Sequence, residues 1–427
     1  MFLITSGYKK TWIKDKKILF AGEWCKSFDD SSEEKLLDSE TFEYHWNDRH
    51  KLKSDIDSLN KIYEKYLELL SYQLNSIHNV NGSIRYWRMI VGPWLRDFIE
   101  VLYDYHQVIM GIEKSNLIDN TIIIDALWQE QIPQDIASFQ ASYSQSWYLH
   151  FIISEIIKYS SKIPYEVVNL KHPKVINNYE DTGTQSINYK FKRFIKYFLC
   201  LIYSSKIIAD KKKKVIFIAS YFKNLDLNII QKKLHQLPFL YLFDPKPKKK
   251  RCNESLRKSI RIQNGSNEFE KLLVFLIPKQ IPIAYVENFQ SYNRLSKFLF
   301  PSKPSVIFTA NSYYFNECFK VWVANKMEQG AKLFIAQHGG FGTALWNQTE
   351  EHQIKICDRF FSWGWERANE KKIKAMPANK LNDIKKKISS KKNGKILCIV
   401  NSDIINYLHT QVPHPTNSNF KKYASNI

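Results

Sequence analysis

Apolar positions recur at helical spacing over residues 51–77, where Leu52, Ile56, Leu59, Ile62, Tyr63, Tyr66, Leu67 and Leu70 fall on one side of a chain turning every 3.6 residues or about that. Residues 84–106 are apolar and aromatic-rich and also read as helix, with Pro93 marking a kink or a break into two helices. Elsewhere the pattern shortens. Residues 2–6 and 17–21 read as strands, and from residue 214 onward brief β-type runs follow at 214–221, 281–287, 305–312, 333–337, 360–363 and 395–401. Helix-length segments at 227–235 and 316–329 lie between them. Strands alternating with helices argue for βαβ units and a parallel, doubly wound α/β sheet.

Two stretches break the alternation. Residues 160–187 carry Pro164, Pro173 and polar residues, and read as a long connection. Residues 367–393 are lysine-rich, contain Pro377 and end at Asn393-Gly394, which reads as a basic linker. The expected organisation is therefore a domain over residues 1–366 with a helical insertion at about 50–160, the linker, and the start of a second domain at 394–427. That last piece is too short for a nucleotide-binding domain, which needs ~100 residues or more. No internal repeat is visible.

Composition narrows the classes. With 44% hydrophobic and 15% aromatic residues in 427, the chain can bury a sizeable core and is not a disordered one. A net charge of +21 attracts polyanions, whether nucleic acid, acidic membrane or nucleotide-sugars. The lysines cluster in short runs, at 211–214, 246–251, 371–374 and 385–392, with no zinc-finger, RNP or helix-turn-helix signature beside them. Nucleic-acid binding is the lesser reading. The six cysteines are scattered without a CxxC pair, so no structural zinc and no disulfide framework are expected, and a reducing cytoplasm fits. No run of ~20 apolar residues predicts a spanning helix. Residues 191–208 mix aromatic and aliphatic residues with Lys192, Arg193, Lys196 and Lys206, the pattern of a helix that either lies on an anionic membrane or packs on a sheet.

The most informative stretch is Lys332-Leu-Phe-Ile-Ala-Gln-His338-Gly339-Gly340-Phe341-Gly342, an apolar strand that stops at an imidazole and a glycine turn. Glycines after a strand let backbone approach a ligand closely, and ligands of open α/β sheets collect at the carboxyl ends of strands. Asp358-Arg359-Phe-Phe-Ser-Trp363-Gly364-Trp365 repeats the arrangement with indoles. Nearer the start, Glu23-Trp24 and Tyr44-His45-Trp46-Asn47-Asp48-Arg49 gather carboxylates, an imidazole, a guanidinium and indoles. Trp24 and Trp46 could stack on a sugar or base, Arg49 could clamp an anion, and Glu23 or Asp48 could act as a general base. Arg85 and Arg88 share one helix face and either line an anion site or pair with Asp97 and Glu100. No Walker loop, GxGxxG, GxSxG or HExxH is present.

Taken in order, these blocks resemble a bacterial family of putative transferases of surface-carbohydrate and lipopolysaccharide biosynthesis. The motifs that carry it are Phe2-Leu-Ile-Thr, Ile18-Leu-Phe-Ala-Gly-Glu-Trp-Cys25, Tyr44-His-Trp-Asn-Asp-Arg49, Arg85-Tyr-Trp-Arg88, Gly92-Pro-Trp94, Gln337-His-Gly-Gly340 and Asp358-Arg-Phe-Phe-Ser-Trp-Gly-Trp365. The resemblance implies a GT-B-like α/β fold: a Rossmann-like N-terminal acceptor domain with a parallel sheet and helical insertions, and a second Rossmann-like domain that is largely missing here. It implies a glycosyltransferase using a nucleotide-sugar co-substrate and a glycan or lipid-linked acceptor, with no other cofactor and no metal. His338, Glu23 and Asp48 are then the catalytic candidates, and Trp24, His45, Trp46, Arg49, Arg85, Arg88, Gly339, Gly340 and Trp363 the substrate-binding ones. Peripheral contact with an anionic inner membrane from the cytoplasmic side would suit a lipid-linked acceptor. A missing donor half would leave the chain inactive, and the alternative is a non-catalytic carbohydrate- or membrane-binding remnant.

Overall fold

Strands Phe2–Ile4 (β1) and Ile18–Phe20 (β2) are buried along their whole length, which is why they read as unbroken apolar runs rather than alternating ones. They pair in parallel, Phe2 opposite Ile18. The computed structural model describes residues 1–26, 38–170, 195, 198, 214–236, 246–263, 265–339 and 348–381. Ser39–Thr41 (β3) follows β2. Next come three helices, Arg49–His78 (α1), Ile84–Ile90 (α2) and Gly92–Ser115 (α3). Asn120–Ile124 (β4), Ile136–Tyr143 (α4), Ser146–Ser160 (α5) and Tyr165–Val168 (β5) complete the first half. The resulting sheet has the order β3-β2-β1-β4-β5, so the strand order reverses beside β1.

A second five-stranded sheet has the order β10-β9-β8-β7-β6. Its elements begin with Lys214–Ile218 (β6), Asn224–Lys233 (α6), Glu254–Lys258 (α7), Glu268–Gln280 (α8) and Phe289–Leu299 (α9). Pro304–Thr309 (β7), Ser312–Phe315 (α10), Glu317–Glu328 (α11) and Lys332–Ala336 (β8) follow. Gln348–Ile356 (α12), Arg359–Trp363 (β9) and Ile373–Met376 (β10) close it. All four of its strand pairings are parallel. The α/β class with parallel sheets is as expected. The described residues form two such sheets.

Helix α1 buries Leu52, Ile56, Leu59, Tyr63, Tyr66, Leu67, Leu70 and Leu74, the face its periodicity predicts. Pro93 falls in the first turn of α3, where its missing N–H has no intrahelical partner to lose, so α2 ends and α3 begins there. One continuous apolar core runs from Phe2 of the first sheet through Trp87 and Trp94 to Leu333 of the second. Gly92 makes room for this: a Cβ there would stand 2.6 Å from the Tyr63 hydroxyl oxygen and 3.2 Å from the His352 ring.

Three expected elements differ. Residues 281–287 form a 3-10 turn, Ile283–Tyr285, rather than a strand. Pro282 supplies no N–H, and the Ile283 and Ala284 amides donate to Pro133 and Gln134 carbonyls instead of a ladder. The connection at 160–187 contains β5, an edge strand of four residues, three of them exposed, too short to stand out beside Pro164 and the polar residues around it. The linker at 367–393 contributes β10, whose register with β9 sets Ile373 opposite Phe360. The helix expected at 191–208 lies outside the described residues apart from 195 and 198, as do the strand at 395–401 and most of the lysine runs at 211–214 and 385–392.

Candidate functional site

At the carboxyl end of β8 the chain turns through Gln337, His338 and Gly339. Gln337 is buried and ties the edge together. Its Oε1 accepts from the Trp363 amide at 2.8 Å and the Trp365 indole at 3.0 Å; its Nε2 donates to Glu350 Oε1 at 3.1 Å and the Gly339 carbonyl at 3.3 Å. His338 is half-buried and stacks on Tyr221, with centroids 5.6 Å apart and planes 16° from parallel. Tyr221 follows β6, and both it and Ala219 hold positive φ, 59° and 46°. Such backbone in non-glycine residues is sparsely populated and gathers at functional sites. The Tyr221 hydroxyl accepts from Asn311 Nδ2 at 2.6 Å, just past β7. The carboxyl ends of β6, β7, β8 and β9 thus meet around His338. Gly364 (φ 85°) lets the chain turn after β9 and bring the Trp365 indole back to Gln337. Gly340 lies outside the described residues.

The candidates from the first 49 residues sit at the carboxyl edge of the other sheet, after β2 and β3. Glu23 is half-buried beside Lys26, 3.3 Å away. Trp24 is buried, donates to the Thr5 carbonyl at 3.1 Å and meets Tyr44 and Tyr105 edge-on. Trp46 is fully buried and donates to Asp55 at 2.9 Å. Both indoles are core packing, not open stacking faces. Asp48 caps α1, accepting from the His50 and Lys51 amides. Those two bonds hold its carboxyl below the usual range although it is exposed. Arg49 is exposed at the first turn of the same helix. His45 Nε2 lies 2.9 Å from Asp104 Oδ1, and the Tyr44 hydroxyl donates to the other Asp104 oxygen at 3.0 Å. Nδ1 of His45 has no hydrogen-bond partner among the described residues.

The two arginines of α2 do not meet Asp97 or Glu100. Arg85 donates to Asp358 at 2.8 Å and to the Ile356 carbonyl at 2.7 Å. Arg88 grips both oxygens of Glu64 at 2.8 and 2.5 Å. Each guanidinium has a fixed intramolecular partner, and the reason is spatial: α2 packs on α1, which carries Glu64, and on α12, which leads into Asp358, while Asp97 is taken up by Tyr314 and Gln140.

What sequence reasoning passed over is α3 itself. Arg96, Asp97, Glu100 and Asp104 are all buried, and the three acids, spaced three and four residues apart, share one face. Arg96 pairs with Asp97 at 3.1 Å and reaches the Tyr314 hydroxyl at 3.3 Å, and that hydroxyl donates to Asp97 at 2.7 Å. Gln140 donates to the same Asp97 oxygen at 2.9 Å. At about 1.5 Å per residue, the seven residues from Asp97 to Asp104 span ~10 Å. So α3 links the His45 turn of the first sheet to Tyr314, just past β7 of the second. The signal was there, as charges at helical spacing within an apolar helix. His352 was also missed. It is buried against Tyr313 and Gly92, and neither ring nitrogen has a hydrogen-bond partner among the described residues. Burial, reinforced by Arg96 and Arg88, pushes its pKa well below the ordinary value, so the ring is neutral.

Residues 1–426 match the sequence profile of the LIC12162 family transferase. The chain belongs to that family. No curated protein matches it, and no solved structure does. Membership makes the chain a member of a transferase family. Among the described residues no helix is long and apolar enough to cross a membrane, and no group of three or more His, Cys, Asp or Glu could hold a metal ion.

Proposed function

We propose that the chain is a glycosyltransferase of bacterial surface-polysaccharide or lipopolysaccharide synthesis, taking a sugar from a nucleotide-sugar and passing it to a glycan or lipid-linked acceptor. Membership of a transferase family supports it, and so do two parallel sheets, which suit a GT-B-type pair of Rossmann-like units. The observation that carries the reading is the His338–Tyr221 stack, set on left-handed backbone at the carboxyl edge of a parallel sheet. In this reading His338 protonates or hydrogen-bonds the leaving phosphate, Gly339 and Gly340 let backbone approach it, and Trp363 lines the donor end. The base comes from the other sheet edge. Glu23 is one choice there, and His45, oriented by Asp104, is another; the Trp24–Tyr44 ring contact at 5.9 Å brings their two turns together. Asp48 is the weaker choice because its carboxylate is engaged by the helix it caps. A net charge of +21 suits a lipid-linked acceptor at an anionic membrane, met from the cytoplasmic side.

The test is a panel of nucleotide-sugars offered to the purified full chain, read by thermal shift and by nucleotide release. At least one should raise the melting temperature and be consumed. If none binds and none is turned over, with or without lipid-linked acceptors, the proposal fails.

A further inference from the structure

The second sheet has β10 at one edge and β6 at the other, yet a side chain just past β10 touches the chain just past β6. Asn379 opens a 3-10 turn, Asn379–Leu381, three residues after β10, and its Nδ2 donates to the Ser220 carbonyl at 2.5 Å. Residues 377–379 therefore cross the carboxyl edge of the sheet, the edge on which β8 delivers His338. Ser220 stands between the two left-handed residues Ala219 and Tyr221. Such backbone costs an L-residue energy that its surroundings must return. Each residue of the kink carries a contact from another strand end. The Ala219 carbonyl accepts from the Ala310 amide at 3.0 Å, the Tyr221 hydroxyl from Asn311 at 2.6 Å, and the Ser220 carbonyl from Asn379.

The first two contacts come from neighbouring residues after β7. The third reaches the middle of the kink from the far edge of the sheet. Ser220 is 5% exposed, so water does not readily replace that donor. Asn379 Oδ1 is itself buried and meets no donor among the described residues. A residue there only to close the turn would not need an amide whose acceptor goes unmet; the donor end is what the position uses. The kink also decides where the Tyr221 ring lies, and that ring is stacked on His338. An imidazole that meets a developing charge must be aimed, and a stacked ring fixes its plane. We propose that Asn379 is a positioning residue for His338: it clamps the Ser220 carbonyl, so that Tyr221 keeps its left-handed backbone and its ring stays on the imidazole. The clamp rests on this geometry alone, and its consequence for turnover rests on the glycosyltransferase reading.

The experiment uses NMR of the full chain with carbon-13 at histidine Cε1, the His338 resonance being the one that His338→Ala removes. Tyr221→Ala gives the position of an unstacked imidazole. Asn379→Ala should move the His338 resonance the same way and at least half as far, while His45 and His150, beside the other sheet, stay in place. Asn379→Asp, equal in volume but turning an acceptor toward the carbonyl, should do the same. Glycine takes left-handed backbone without the cost, so adding Ala219→Gly to Asn379→Ala should bring the resonance back toward the parent's. A resonance that Asn379→Ala leaves unmoved, movement of His45 and His150 along with it, or no recovery with Ala219→Gly would each overturn the clamp. Should Asn379→Ala not fold, Asn379→Gln, which keeps the donor, should hold the parent's resonance where Asn379→Asp loses it. With nucleotide-sugars, kcat of Asn379→Ala should fall about tenfold or more at little-changed KM, the scale of a misaimed group, and recover with Ala219→Gly. An unstacked His338 with full kcat overturns the positioning role. A parent chain that consumes no nucleotide-sugar sinks the glycosyltransferase reading alone, and the resonances still decide the clamp.

Discussion

Replacing Gln337 by leucine keeps nearly the same volume and deletes all four hydrogen bonds that gather the carboxyl edge of the second sheet. Gln337 is 3% exposed, so water does not readily take its place. The Trp363 amide and the Trp365 indole lose their acceptor, and Glu350 loses a donor. At about 1–2 kcal/mol for each buried donor left unmet, and somewhat more beside a carboxylate, the loss is on the order of 3–5 kcal/mol. The added apolar burial of leucine returns ~1 kcal/mol. A net loss of about 3 kcal/mol corresponds to a fall in Tm of roughly 6–12 °C for domains of 150–250 residues or so. Far-UV circular dichroism melts of parent and variant measure it. Gln337→Glu is the companion: it keeps acceptors for both tryptophan donors but sets a carboxylate against Glu350, so its loss should be large at pH 7 and smaller near pH 4. A Gln337→Leu protein melting within ~2 °C of the parent would refute the reasoning, since that outcome requires the edge to be held by something else.

The other predictions follow from single contacts. His338→Ala should lower sugar transfer by ~100-fold or more, the scale of losing a positioned acid or charge stabiliser; an unchanged turnover number would remove His338 from the chemistry. Arg88→Ala should lower stability by about 1–2 kcal/mol, because it removes the bidentate partner of Glu64 and leaves that partly solvated carboxylate with Lys355 alone, and should leave KM alone. A raised KM with unchanged urea unfolding would instead restore the anion-site reading. Glu270 is buried, which by itself raises its pKa, but hydrogen bonds from Lys65, Ser266 and Tyr66 outweigh this and bring it from 4.5 down to about 2. A folded pKa below the unfolded one stabilises above the unfolded value and is lost as pH falls through the folded one. Glu270→Gln should therefore be less stable than the parent at pH 7, by on the order of 2 kcal/mol, with the gap closing between pH 4.5 and about 2. A gap that stayed constant across that window in denaturant titrations would contradict the assignment.

Local rules made much of the chain legible. The buried face of α1, the break at Pro93, the parallel α/β class and the glycine turn after β8 follow from periodicity, a missing N–H and backbone freedom. All of these act within a few residues of one another, so they are written into the order of side chains. The course of the backbone over longer spans was not. Edge strands β5 and β10 are four residues each, too short for a strand pattern to stand out from their surroundings, and whether strands fall into one sheet or two depends on crossovers that no local window contains.

The site divides in the same way. Sequence marked the His338 turn as a candidate site, because an imidazole after a buried strand is unusual in itself. It could not tell that Arg85 belongs to Asp358, 273 residues away, or that Arg88 grips Glu64 rather than a substrate. Nor could it tell that Trp24 and Trp46 are enclosed, or that α3 joins the two sheet edges through Asp104 and Asp97. A charged or aromatic residue reads the same in sequence whether it faces a ligand, a partner or the core. Only the packing that sets which groups are desolvated together decides among them, and that is a property of the tertiary structure alone.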